Sequence, residues 1–277
     1  MNISAIIEQL ETLAPLSLQE SYDNSGLIVG DCNANINSAL LCLDSTEDVI
    51  DEAIERDCGL VIAHHPIVFS GIKSLTGKNY IERTIVKAIK NDIAIYAIHT
   101  NLDNVKAGVN KKMAERIGLK NLKILSPKEG KLKKLVFFCP IDSSEKVKSA
   151  LFDAGGGTIG EYDCCSFSLE GNGTFRPGEH TNPHVGKKEE LHSEKEHRIE
   201  LIFPDYLKSN LIHALKSNHP YEEVAFDLYN LENKWSEVGS GMIGELPEPL
   251  EILDFLDRVK LNLGTECIRY TKVLRRK

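Results

Sequence analysis

The sequence predicts an α/β fold: a mainly parallel or mixed sheet flanked by helices, with an α+β domain set into it. Three observations carry this. Short apolar runs alternate with amphipathic helical patterns from Ile3 to about Leu125. Strands separated by helices imply βαβ units and parallel pairing. After Pro127 the texture changes to shorter strands, charged loops and a different helix spacing. The length, 277 residues with 42% hydrophobic content, allows more than one core.

The elements follow in order. Residues 3–14 read as a helix with Ile3, Ile6, Ile7, Leu10 and Leu13 on one stripe. DNSGLIVGD (23–31) contains a short strand, entered at Asn24 and Gly26 and followed by Gly30. A turn beside a functional site and a plain strand entry both suit it. SALLCLD (38–44) is a strand. It runs into STEDVIDEAIERD, where Ser45 or Thr46 caps a helix whose first turn holds Glu47 and Asp48. GLVIA (59–63) is a second, buried strand, 79–92 a helix, 93–98 a third strand and 107–119 a third helix. In the second region 131–141 reads as a strand, 143–155 as a helix ended by glycine, and 204–218 as a helix. Shorter strands are expected in EYDCCSFSLEG, HRIELIFP and VAFDLYNL, and 171–197 reads as a long exposed loop. A helix around 248–262 and a strand CIRYTKVL close the chain. The domains expected are 1–127, an α/β first half; 128–235, an inserted α+β domain; and 236–277, the start of a second half.

Charge and composition exclude several roles. With 33 basic and 41 acidic residues, the net charge is -8. Such a surface repels phosphate backbones, so no nucleic-acid partner is expected. No run of about 18 apolar residues occurs, so no membrane span is expected. The N-terminus lacks a basic region and carries Glu8 and Glu11, unlike a signal peptide. Seven cysteines, odd in number and without a CxxC pair, suit reduced thiols in a cytoplasmic protein.

The chemistry concentrates at two strand ends. In GLVIAHHPIVFS, His64 and His65 stand at the carboxyl edge of a buried strand. Pro66 disfavours a helical conformation at His65. Neighbours on extended backbone diverge, so the two rings are expected to serve separate targets. IAIYAIHTNLDN places His99 and Asp103 just past the next strand. If the two strands are neighbours, His64, His65, His99 and Asp103 meet where open α/β sheets bind ligands. Imidazole with carboxylate suits zinc, iron, manganese, cobalt or nickel better than calcium or magnesium. Two such ions about 3.5–4 Å apart would make a hydrolytic centre. There His64, His65, His99 and Asp103 are the potential ligands, Asp103 bridging the ions or binding one, and Asp44 would orient a histidine from behind. The structural alternative has His65 bonding to backbone and Asp103 capping a helix.

Other groups carry less. HSEKE (192–196) has His and Glu four apart, as on one helical face, but reads as a solvated charge run. His180 and His184 share its loop. Cys164 and Cys165 read as packing residues of an alternating strand. GGGTIG (155–160) lacks the GK[ST] ending of a phosphate loop and reads as a helix stop and turn.

DNSGLIVGD, LDSTEDVIDEAI, HHPIVFSGIKSL, AIHTNLDNVKAGVN, GEYDCCSFSLEGNGTF and HPYEEVAFDL occur in this order. Together they closely resemble the family of GTP cyclohydrolase 1 type 2 homologues, also called NIF-three-like or DUF-thirty-four proteins, in its longer bacterial form. The resemblance runs from about residue 2 to 277. It implies an α/β fold with a PII/CutA-like insert, a homohexameric ring, and two divalent ions per subunit. It implies His64 and His65 of HHP and Asp103 of HTNLD as metal ligands, with His99 at the same centre as ligand or close neighbour. Family members continue past RYTK into a second half that supplies a further His and Glu, so the resemblance implies a truncated member with three or four of those ligands. HSEKE lies in the insert and is not given that role. Two functions are expected from this: a metal-dependent hydrolase of GTP or another phosphoester, taking a small-molecule substrate, in which His64, His65 and Asp103 would hold the ions and His99 would shuttle a proton, or a non-enzymatic, oligomeric metal-binding or metal-handling scaffold.

Overall fold

The structure, a computed structural model, describes residues 1–272. The chain forms two compact units, Met1–Ser126 together with the segment from Glu237 onward, and Pro127–Ser236. The architecture is α/β, as the alternating pattern predicts.

The first unit opens with α1 (Ile3–Leu13), whose first turn is capped by the Asn2 side chain. Next come β1 (Gly26–Val29), β2 (Ala39–Asp44) and α2 (Glu47–Glu55). Of the two capping candidates, Thr46 is the cap: its hydroxyl accepts the Val49 amide hydrogen at 3.3 Å. Then follow β3 (Leu60–His65), α3 (Tyr80–Lys90), β4 (Ala94–Ala97), the short α4 (Thr100–Asn104), α5 (Val109–Ile117) and β5 (Lys120–Lys128). The main sheet runs β1-β4-β3-β2. β2, β3 and β4 are parallel, whereas β1 lies antiparallel to β4. Ile50 and Ala53 of α2 and Ile85 and Ala88 of α3 pack on Val61 and Ile95. Leu60, Ala63 and Tyr96 are fully buried as well. A strand buried on both faces needs no polar alternation, which is why GLVIA reads as a continuous apolar run. Arg83–Glu47 and Lys87–Asp51 ion pairs join α3 to α2 over the solvent side.

The second unit contains β6 (Leu132–Pro140), α6 (Ser144–Asp153), β7 (Phe167–Phe175), β8 (His192–Pro204), α7 (Lys208–Asn218) and β9 (Phe226–Asn230). Its sheet is antiparallel in the order β7-β8-β6-β9. One face meets both helices: Val147, Leu151, Leu211 and Leu215 pack on Leu135, Phe137, Ile199, Leu201 and Phe203. The chain then makes β10 (Trp235–Glu245), paired with β5, and α8 (Ile252–Leu263). Among the described residues no helix is long and apolar enough to cross a membrane.

Several local expectations are corrected. Residues 171–197 are not one loop: β7 and β8 take both ends, and only 176–191 are irregular. Polarity misled there, because one face of this sheet carries charged residues that still alternate with a period of two. HSEKE is therefore part of a strand, with His192, Glu194 and Glu196 on one face. Cys164 and Cys165 precede β7 instead of lying in it, and Cys164 has a left-handed backbone (φ 52°). Of the strand expected at CIRYTKVL, residues 267–272 are irregular, and the rest lies outside the described residues.

Candidate metal centre

Strand direction builds this site. Because β2, β3 and β4 are parallel, their carboxyl ends share one edge. Asp44 ends β2 and stands in register with His65 at the end of β3. His64 precedes it, and β4 leads through Ile98 into His99 and α4. β1 is antiparallel, so its beginning, not its end, reaches the same edge; Gly26 is in register with Ala97. That brings Asp23, three residues before Gly26, alongside His99.

Each histidine is held from behind. His64 Nδ1 lies 2.9 Å from the Ile98 carbonyl oxygen. His65 Nδ1 is 2.7 Å from Asp44 Oδ1. His99 Nδ1 is 2.8 Å from Asp23 Oδ1. A carbonyl or a carboxylate can only accept, so each Nδ1 carries the hydrogen and donates it. The nitrogen left without a proton on each neutral ring is Nε2. The three rings form a near-equilateral triangle, with centroids 5.0, 5.2 and 5.4 Å apart. One ring nitrogen from each lies within 4.8 Å of the others. Asp103, in the first turn of α4, brings Oδ1 to 3.8 Å from His64 Nε2.

The four groups expected from the sequence therefore stand together, with one difference. His64 and His65 converge instead of serving separate targets. Alternation fixes the Cα–Cβ direction, but at a strand end nothing follows to separate two long rings, and each is tethered by its own Nδ1 partner. Asp44 does orient a histidine, namely His65.

Asp23 was missed. Within DNSGLIVGD attention falls on Asn24 and Gly26, and only the sheet order reveals the aspartate's role. Its side chain is wholly buried. Besides His99, it accepts from the Asn24 amide at 2.7 Å, the Ser25 hydroxyl at 3.1 Å, and both the amide and hydroxyl of Thr100. Burial would raise its pKa, but the hydrogen bonds from Thr100, His99 and Asn24 outweigh it and hold the carboxyl down to about 2. An ionised Asp23 locks His99 in the tautomer with Nε2 available.

Exposure is graded across the site. The side chains of His99 and His64 are 15% and 20% exposed, and that of His65 is 41%. Phe69, exposed, stands edge-on to His99 at 5.9 Å between ring centres. Three imidazoles beside a carboxylate form a donor set suited to zinc or a similar divalent transition ion. The residues fit such an ion, because the tethers behind each ring are those that metal-binding histidines need.

The fold and this cluster define an α/β protein with a histidine-rich candidate metal site at the carboxyl edge of a mostly parallel sheet. The chain belongs to the Duf34/NIF3 (NGG1p interacting factor 3) family, whose profile matches residues 1–277. It is 43% identical over 260 residues to a GTP cyclohydrolase 1 type 2 homolog of Halalkalibacterium halodurans, covering 94% of this chain and 70% of that one. It is 39% identical over 270 residues to the Bacillus subtilis protein of the same name, covering 97% and 72%. Among solved structures, a Bacillus cereus protein related to NIF3 superposes with a TM-score of 0.84 at 42% identity, covering 96% of this chain and 71% of that one.

Proposed function

We propose that this chain is a divalent-metal-dependent hydrolase whose centre is held by His64, His65, His99 and Asp103. The observation that carries the reading is the arrangement of three imidazoles, each with Nδ1–H donated to a fixed acceptor and with one ring nitrogen of each within 4.8 Å of the others. A bound divalent ion would supply Lewis acidity and lower the pKa of water. The protein's own residues do the rest. Ile98, Asp44 and Asp23 orient the rings, and α4 presents Asp103, which serves a second ion in the two-ion reading. In this assignment His99 is a ligand instead of the expected proton shuttle, because one of its ring nitrogens lies within 4.8 Å of those of His64 and His65. Proton transfer then falls to the more open side near His65. We assign GTP or a simpler phosphoester as the substrate class, in line with the name that the relatives carry. Phe69 offers an exposed ring face that a nucleobase would use and a small phosphodiester would not. The homohexamer, and the reading of 128–235 as an insertion between two halves of a metal-binding domain, are part of the same proposal.

The test is metal content by mass spectrometry together with turnover of GTP and bis(p-nitrophenyl) phosphate. Wild-type protein is expected to hold at least one divalent transition ion per chain. His64→Ala, His65→Ala and His99→Ala are expected to lose it while keeping their circular dichroism. Metal-dependent turnover of GTP with a raised KM in Phe69→Ala supports the nucleotide; turnover indifferent to Phe69 supports the phosphodiester. Full metal content with turnover of neither compound overturns the enzyme and favours metal handling.

A further inference from the structure

The sheet of the second unit has a face that α6 and α7 do not cover. Phe138 and Glu196 point to that face: they alternate with Phe137, Cys139 and Ile199, which meet the helices. A pocket of about 440 Å³ opens there, walled further by Phe175, Pro177, Pro183, Val185, Tyr221 and Ala225. Most of the lining is apolar or aromatic, with one deep polar group.

That group is Glu196. It is only 7% exposed, and among the described residues no cation pairs with its carboxylate. A lone buried carboxylate is costly unless a positive charge or several donors meet it. The site nonetheless makes room for it. A Cβ on Gly173 would meet Glu196 Oε2 at 2.1 Å, so the glycine keeps that space open. The buried Tyr221 hydroxyl stands beside Glu196 and is the one protein donor directed at its carboxylate among the described residues. Burial and the neighbouring Glu196 push its pKa up, so it stays a neutral donor. His219 does not compete: its ring is used by the Phe138 carbonyl and the Tyr221 amide. His192 is occupied by Glu194 at 2.8 Å, and His184, on the wall, makes no ion pair with Glu196.

We propose that this pocket binds a small organic cation, an ammonium, amidinium or guanidinium group on an apolar body, with Glu196 as its counter-ion. The aromatic faces of Phe138, Phe175 and Tyr221 suit both the body and the charge. Glu222 and Glu223 on the wall add negative potential and disfavour an anion. A metal ion is not what the pocket is built for, because among the described residues the only convergent ligand group lies at His64, His65 and His99.

The experiment is calorimetric or ligand-observed NMR titration of the full chain with benzamidine and phenethylamine, against benzyl alcohol and benzoate of similar size. Saturable binding of the two cations is expected, with benzoate inert and benzyl alcohol at least tenfold weaker. Glu196→Gln, which keeps the shape, is expected to weaken benzamidine at least tenfold. Tyr221→Phe is expected to weaken it less. Thermal unfolding of each variant checks that it folds, and the charge preference of the wild type tests the proposal without any variant. Absence of saturable cation binding, equal binding by Glu196→Gln, or benzoate binding as tightly as benzamidine overturns it. A lysine or arginine from a second copy would present the same chemistry. If Glu196→Gln lowers the mass seen by light scattering and benzamidine does not bind, the occupant is that second copy and the small-molecule proposal falls.

Discussion

At the carboxyl edge of the first unit's sheet, buried Asp23 receives hydrogen bonds from His99, Thr100, Asn24 and Ser25. On the open face of the second unit's sheet, Glu196 is nearly as buried and meets no cation among the described residues. Both are acids removed from water, yet one is ringed by donors of its own chain and the other has only the Tyr221 hydroxyl beside it. The difference separates a supporting acid from a receiving one. Asp23 spends its lone pairs internally, so its effect passes through His99 to whatever His99 holds. Glu196 leaves its charge facing a cavity. Burial by itself therefore does not identify a binding group; the state of its hydrogen bonds does.

The largest expected effect sharpens this contrast. Asp23→Ala leaves several buried donors without an acceptor, at about 1–3 kcal/mol each, so a stability loss on the order of 3 kcal/mol is expected. Urea denaturation measures it. A loss below about 1 kcal/mol would show that water replaces the carboxylate and that Asp23 is not the internal anchor described. Gly108→Ala comes next. Its Cβ would sit 1.8 Å from the Leu102 carbonyl oxygen, forcing the α4 turn that carries Asp103 to move. A cost of about 1–3 kcal/mol is expected, with reduced metal content; unchanged metal content would remove Asp103 from the ligand set.

Two pH windows separate the units further. Asp23 has its folded pKa lowered from 3.8 to about 2. Its contribution is complete above pH 3.8 and is lost as pH falls toward 2. The gap in melting temperature between wild type and Asp23→Asn should therefore be constant near neutrality and close over that acid range. In the second unit, burial lowers the pKa of His219 from 6.5, and His184 adds to this against a bond to the Phe138 carbonyl. Its contribution is present above pH 6.5 and fades below it, so the window opens well before that of Asp23. Trp235 is the single tryptophan and lies in the second unit against Tyr206. Its fluorescence should show a melting temperature falling below pH 6.5 in wild type and a flatter profile in His219→Gln. Equal slopes would sink the assignment.

The smallest effect on folding is expected at Asp44. Its side chain is 59% exposed, and an exposed ion pair contributes about 0–1 kcal/mol. Asp44→Ala should thus leave the unfolding midpoint nearly unchanged while weakening metal binding about 10–100-fold by freeing the His65 ring. Zinc titration in competition with a chelator measures it, and unaltered affinity would end the orienting role.

Much was legible in the chain itself. The alternation of GLVIA and IAIYAI with amphipathic helices determined the class of fold, because continuous apolar runs between helices suit strands buried on both faces. The paired imidazoles before Pro66 and the His99–Asp103 pair, each at a strand end, marked the candidate site before any contact was known. The second unit was read less well. Its strands β7 and β8 were read only in part, in EYDCCSFSLEG and HRIELIFP, and their polar ends were taken into the loop, since one face of that sheet is not packed against helices and its charged side chains resemble a loop.

What only the tertiary structure decided were relations between residues far apart in the chain. Asp23 reaches His99 because β1 runs antiparallel to β4, and no local pattern states which strand pairs with which. Glu196 becomes a pocket floor because strand alternation turns it away from the core and Gly173 leaves it space. Hydrophobic periodicity is a property of neighbours in sequence, whereas hydrogen-bond satisfaction depends on partners that the folded sheet brings together.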